Sequence, residues 1–119
     1  MSQPPFTEPT TAYWQTFETA DKATLAPWKY GYPATLADSR ILILPIRQLA
    51  SNPAEAVASL IINQASISVH DELSVMLADA LRDLEPEVVI GLPTLGLSLS
   101  LRVAQLLGKG MLLPSIVPE

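Results

Sequence analysis

The chain has 119 residues, 49% of them hydrophobic and 16% charged, with a formal net charge of -5. That is room for one compact domain, and the composition is too apolar for wholesale disorder. Twelve acidic against seven basic residues leave no basic field to gather phosphate backbones, which argues against nucleic-acid binding. Without cysteine there are no disulfides, no thiolate catalysis and few routes to structural zinc, and a single histidine cannot assemble a metal cluster.

The opening Met1-Ser2-Gln3-Pro4-Pro5 has neither the basic patch nor the apolar core of a signal peptide, so a cytoplasmic address is expected. The uncharged stretch 88–101 is shorter than the ~20 residues of a membrane span and contains Pro93, Gly91 and Gly96, so no association with a bilayer is expected. Proline, Ser, Gln and Thr in residues 1–10 predict a flexible N-terminal tail, with the folded domain over 11–119. All seven aromatic residues precede residue 33, and the rest of the chain is almost purely aliphatic.

Tyr13, Trp14, Phe17 and Ala20 recur at helical spacing, which predicts a short amphipathic helix over 11–20 whose aromatic stripe packs against a neighbour. Trp28-Lys29-Tyr30-Gly31-Tyr32 alternates between Pro27 and Pro33 and reads as an edge strand. Ile41-Leu42-Ile43-Leu44 reads as a second strand that ends at Pro45. Asn52-Pro53-Ala54-Glu55 combines a capping residue, a proline at the first helical position and an acid in the first turn, predicting a helix that fades near Gln64. A further helix is expected from Ser68 to Asp71 onwards, burying Leu73, Met76, Leu77, Ala80, Leu81 and Leu84 and stopped by Pro86.

Glu87-Val88-Val89-Ile90 is apolar after its first residue, as expected of a central parallel strand covered on both faces. The turn Gly91-Leu92-Pro93-Thr94-Leu95-Gly96 follows, and then helical spacing from Leu97 to Leu107 with a stop at Gly108. Strand, glycine-bounded turn and helix place the turn at the C-terminal edge of the sheet, where open α/β folds hold ligands. Unpaired amides at a new helix start carry partial positive charge and suit an anion such as phosphate, and the Thr94 hydroxyl is a further donor. A phosphate loop of the Walker type needs a lysine after its second glycine, where this chain has Leu97, and the three-glycine dinucleotide spacing fails. A tight turn with no ligand is the alternative reading of the same pattern.

The block from Ala34 to Leu113, above all Glu87-Val-Val-Ile-Gly-Leu-Pro-Thr-Leu-Gly-Leu followed by Arg102-Val-Ala-Gln-Leu-Leu-Gly108, resembles the N-terminal part of a type I phosphoribosyltransferase of the purine, adenine-like group. The resemblance implies a partial three-layer α/β fold with a short, mainly parallel sheet flanked by helices, preceded by the aromatic N-terminal segment. It implies transfer of a phosphoribosyl group from phosphoribosyl pyrophosphate to a purine-type base with Mg²⁺, and pyrophosphate binding at Gly91, Leu92, Pro93, Thr94, Leu95, Gly96 and Leu97. Members of the family carry, further downstream, adjacent acids and a Thr-Gly turn for the ribose and its phosphate, and nothing after Gly108 provides them. The pair Asp71-Glu72 opens a helix and serves its dipole instead. Residues 11–119 are therefore expected to form an incomplete phosphoribosyltransferase-like domain, catalytically incompetent as this chain, with no catalytic residue assigned. His70, just before a helix, reads as a surface or capping residue. The second functional class is a noncatalytic interaction module that covers an open sheet edge by joining a partner or a second copy as a homodimer.

Overall fold

A computed structural model describes residues 15–112 of the chain. The predicted tail over 1–10, residues 11–14 of the first predicted helix, and everything after Leu112 lie outside the described residues. The chain divides into two compact units, Met1–Leu60 and Ile61–Glu119. Helices and strands are mixed, but the sheet is not mainly parallel: a three-stranded sheet in the first unit is antiparallel, and a two-stranded sheet in the second is parallel.

The first unit is built on β1 (Gly31–Thr35), β2 (Ile41–Gln48) and β3 (Ala56–Ala58), in the order β1-β2-β3. Residues 15–19, predicted helical, are not: the Glu18 backbone donates to and accepts from Ile41, at 2.7 and 2.9 Å, as an isolated bridge, and only a 3-10 turn follows at Ala20–Lys22. Phe17 lies under the Arg40 guanidinium, 4.1 Å from its ring centre. The aromatic strand also shifts. Trp28 precedes β1 and meets Tyr32 edge-on at 4.7 Å, while Pro33 lies within the strand and is buried. Because the Ile46 amide donates to Tyr30, the alternate residues 31, 33 and 35 turn their nitrogens to the outer edge, where a proline costs no ladder bond.

Pro45 does not end β2, as its missing donor predicts, but sits buried in the middle of it. The same alternation directs its nitrogen away from β1, into the interval between the Glu18 bridge and the β3 ladder that begins at Ile46. There only its carbonyl is used, accepting from Ser59 at 3.2 Å. Ile41, Leu42 and Pro45 form the buried centre of this unit.

The helix predicted from Asn52 is a hairpin instead. Asn52 Oδ1 accepts from the Ala54 amide at 3.1 Å and its carbonyl from the Glu55 amide at 3.0 Å, closing a turn after which Ala56–Ala58 pairs with β2. An Asn-Pro start satisfies a turn as readily as a helix. No apolar face here rewards a helix, since Ala56, Val57 and Ala58 are all exposed.

In the second unit a 3-10 turn (Ile62–Gln64) leads into α1 (Ile67–Arg82), then β4 (Val88–Ile90), α2 (Leu97–Leu107) and β5 (Gly110–Leu112). The Ser66 hydroxyl caps α1 by accepting from the Val69 amide at 3.2 Å. The face that α1 buries is not the leucine stripe. Val69, Ser74 and Ala78 are fully buried, whereas Leu77 is 37% exposed and Leu84 falls beyond the helix at 74%. Small side chains let α1 and α2 approach closely, with Val103 and Ala104 buried on α2. The Ser74 hydroxyl is satisfied within its own helix by the His70 carbonyl at 2.7 Å.

β4 and β5 pair in parallel, Val88 with Gly110, Val89 with Met111 and Ile90 with Leu112. The expectation of a strand covered on both faces fails on one of them. Val89 is half-buried, but Val88, Ile90 and Leu112 are 39%, 57% and 58% exposed, although α2 packs against both strands. α2 ends as predicted: Gly108 takes the left-handed conformation (φ 66°), and the Lys109 amide reaches back to the Ala104 carbonyl at 2.9 Å.

Candidate functional site

The turn between β4 and α2, together with Leu97 at the start of α2, holds every residue that the sequence singled out for binding. Its first amide, Gly91, donates to the Leu112 carbonyl of β5 at 3.0 Å, so it belongs to the sheet. Gly96 donates to Leu92 at 3.1 Å and Leu97 to Thr94 at 3.3 Å, which closes the turn on itself. The Pro93–Thr94 peptide is cis. Five amides remain: those of Leu92, Thr94, Leu95, Ser98 and Leu99 reach no acceptor among the described residues. Two of them, Ser98 and Leu99, belong to the first turn of α2, where the helix dipole adds partial positive charge, and Thr94 and Leu95 precede its N-cap Gly96. Leu92, Pro93, Thr94 and Leu95 are exposed.

Both glycines answer to the chain itself. A Cβ on Gly96 would stand 3.0 Å from the Leu92 carbonyl oxygen and 3.3 Å from the Leu92 nitrogen, so a side chain here would press on the backbone that closes the turn. A Cβ on Gly91 would meet the Ser100 Cβ and Oγ at 2.9 Å, so this glycine seats α2 against the end of β4. Ser100 in turn donates its hydroxyl to the Gly96 carbonyl at 2.5 Å. Packing within the chain accounts for each glycine.

No charged residue stands in the turn. The nearest polar partners come from α1. His70 Nε2 lies 3.0 Å from the Ser98 hydroxyl, and one turn further along α2 the Arg102 guanidinium donates to Asp71 at 2.8 Å. Asp71 therefore pairs with a side chain rather than with its own helix end. Sequence reasoning missed the His70 and Ser98 contact, since the two are 28 residues apart and neither belongs to a motif. A hollow of about 610 Å³ lies elsewhere, at the C-terminal ends of both helices, lined by Arg82, Glu85, Pro86, Leu107 and Lys109. Among the described residues no group of three acidic or histidine side chains could hold a metal ion, and no helix is long and apolar enough to cross a membrane.

No protein-family model matches the chain, and no curated protein matches it.

Proposed function

We propose that the turn is the diphosphate-binding loop of a phosphoribosyltransferase-like domain. The observation that carries this reading is the set of amides of Thr94, Leu95, Ser98 and Leu99, which reach no acceptor among the described residues, beside the C-terminal end of a parallel strand. Departure of diphosphate from a ribose carbon leaves positive charge on the sugar and negative charge on the leaving group. Fixed N–H donors at the departing oxygens lower the energy of that separation. The chain's share of the chemistry is to hold the leaving group, and no acid or base is assigned. The described residues offer no ligand set for Mg²⁺, and none of this binding passes through the ion. The finer architecture belongs to the same proposal: β4 and β5 are the start of a parallel sheet sandwiched between helix layers, with a purine-type base as acceptor and a cytoplasmic address.

The exposed apolar face of Val88, Ile90 and Leu112 favours a second reading, a noncatalytic module that joins a partner or a second copy as a homodimer. Calorimetric titration with phosphoribosyl pyrophosphate, alongside sedimentation over a range of protein concentrations, separates the two. Saturable binding supports the transferase-derived loop. Absence of binding together with a concentration-dependent dimer supports the module and refutes the loop.

A further inference from the structure

The hollow of about 610 Å³ at the C-terminal ends of α1 and α2 falls within the range of small-molecule sites, about 300–1,000 Å³. It lies at the far end of α2 from the turn, about 15 Å along an 11-residue helix. Its wall joins unlike groups: the cations Arg82 and Lys109, the carboxylate of Glu85, and the apolar Pro86 and Leu107. The side chains of Glu85 and Lys109 reach no partner among the described residues, so an acid and a base share one hollow without pairing with each other. Arg82 is held in place, its guanidinium donating to Asp79 at 2.5 Å and to the Leu106 carbonyl at 3.5 Å. That leaves three of its five N–H groups without an acceptor among the described residues.

Glu85 is an unexpected residue for its place in the chain. It stands at φ 50°, a left-handed conformation that suits glycine, whereas α2 ends on Gly108 at φ 66°. Arg82 and Lys109 offset the negative ends of the two helices, which accounts for the cations but not for an acid in the same wall. We propose that the hollow binds a small zwitterion, a free α-amino acid with an apolar side chain. Its carboxylate meets Arg82 and Lys109, its ammonium meets Glu85, and its side chain lies against Pro86 and Leu107. A simple anion would face the Glu85 carboxylate and a simple cation would face two like charges, whereas a zwitterion complements all three.

L-leucine is titrated calorimetrically into the full chain and into Glu85→Gln and Lys109→Met, with thermal melts to confirm folding. The paired probe is 4-methylpentanoate, the same molecule without its ammonium. The wild-type chain is expected to bind L-leucine saturably and about tenfold more tightly than 4-methylpentanoate, the factor that one charge-assisted hydrogen bond supplies. Glu85→Gln is expected to lose about tenfold toward L-leucine and nothing toward 4-methylpentanoate, while Lys109→Met loses about tenfold toward both. Equal losses toward both probes in Glu85→Gln, or unchanged affinity for L-leucine in either folded variant, overturn the proposal. No saturable binding of L-leucine by the wild-type chain also overturns it, and the diphosphate reading of the turn is untouched by either result.

Discussion

Gly96, Gly91 and Gly108 show how differently three glycines constrain one segment. Gly108 adopts φ 66° with open space around it, so Gly108→Ala meets no neighbour and costs only the left-handed conformation, about 1 kcal/mol. Gly96 has an ordinary helical conformation (φ -85°) but no room, because the contact at 3.0 Å is to backbone oxygen, which cannot rotate aside. Gly96→Ala must therefore open the turn and is expected to cost about 1–3 kcal/mol, more than Gly108→Ala. Urea melts of the two variants decide this, and the reverse order would contradict the turn geometry. A bulky residue at Gly96 is accordingly a poor probe of ligand binding, since folding suffers first. The Ser66 cap is the other single-residue test: Ser66→Ala removes the acceptor of the Val69 amide and is expected to cost about 1 kcal/mol, and no change in the midpoint would contradict the cap. Asp38 responds to pH. The Arg40 amide, and then its guanidinium, hold this carboxyl below its ordinary value of 3.8. The stabilisation is present above that value and fades as the pH falls through the lowered one, so Asp38→Asn flattens the acid limb of the stability profile.

Among the elements, what the sequence made legible was the run from β4 through the turn to α2, because glycines punctuate it at 91, 96 and 108 and Pro86 isolates it from α1. Two elements were misread because one residue pattern serves two structures. Asn52-Pro53 starts a turn or a helix equally well, and only pairing of Ala56–Ala58 with β2 decided between them. Pro45 looked like a strand end because the sequence cannot tell which side its nitrogen faces. The packing face of α1 differs from its leucine stripe for another reason: bulk in the sequence does not measure burial, and the buried positions are the small Ser74 and Ala78. This gives a paired expectation. Ala104→Leu, on the buried face of α2, forces the helices apart and costs about 1–3 kcal/mol, while Leu77→Ala, 37% exposed, costs less than that. Equal costs would restore the leucine stripe as the core. The pair of Arg102 and Asp71 carries little of the stability, since its side chains are 38% and 50% exposed and surface ion pairs contribute about 0–1 kcal/mol.

At the scale of the whole molecule, a chain with net charge -5 gathers no anions by its overall field, so a diphosphate has to be held by local donors. The site's position was legible in the sequence; its donors were not, because which amides are consumed depends on β5 and on how the turn closes. His70 was also hidden, brought to Ser98 only by the packing of α1 on α2. The central claim is that the amides at and just before the start of α2, which reach no acceptor among the described residues, hold a diphosphate. Amide-resolved NMR titration of the full chain with inorganic pyrophosphate tests it most directly. The account predicts saturable shifts at Thr94, Leu95, Ser98 and Leu99, larger than those at Gly91 and Gly96, whose amides already have acceptors. Silence at those four amides, or shifts confined to Arg82, Glu85, Leu107 and Lys109 around the hollow, would contradict it.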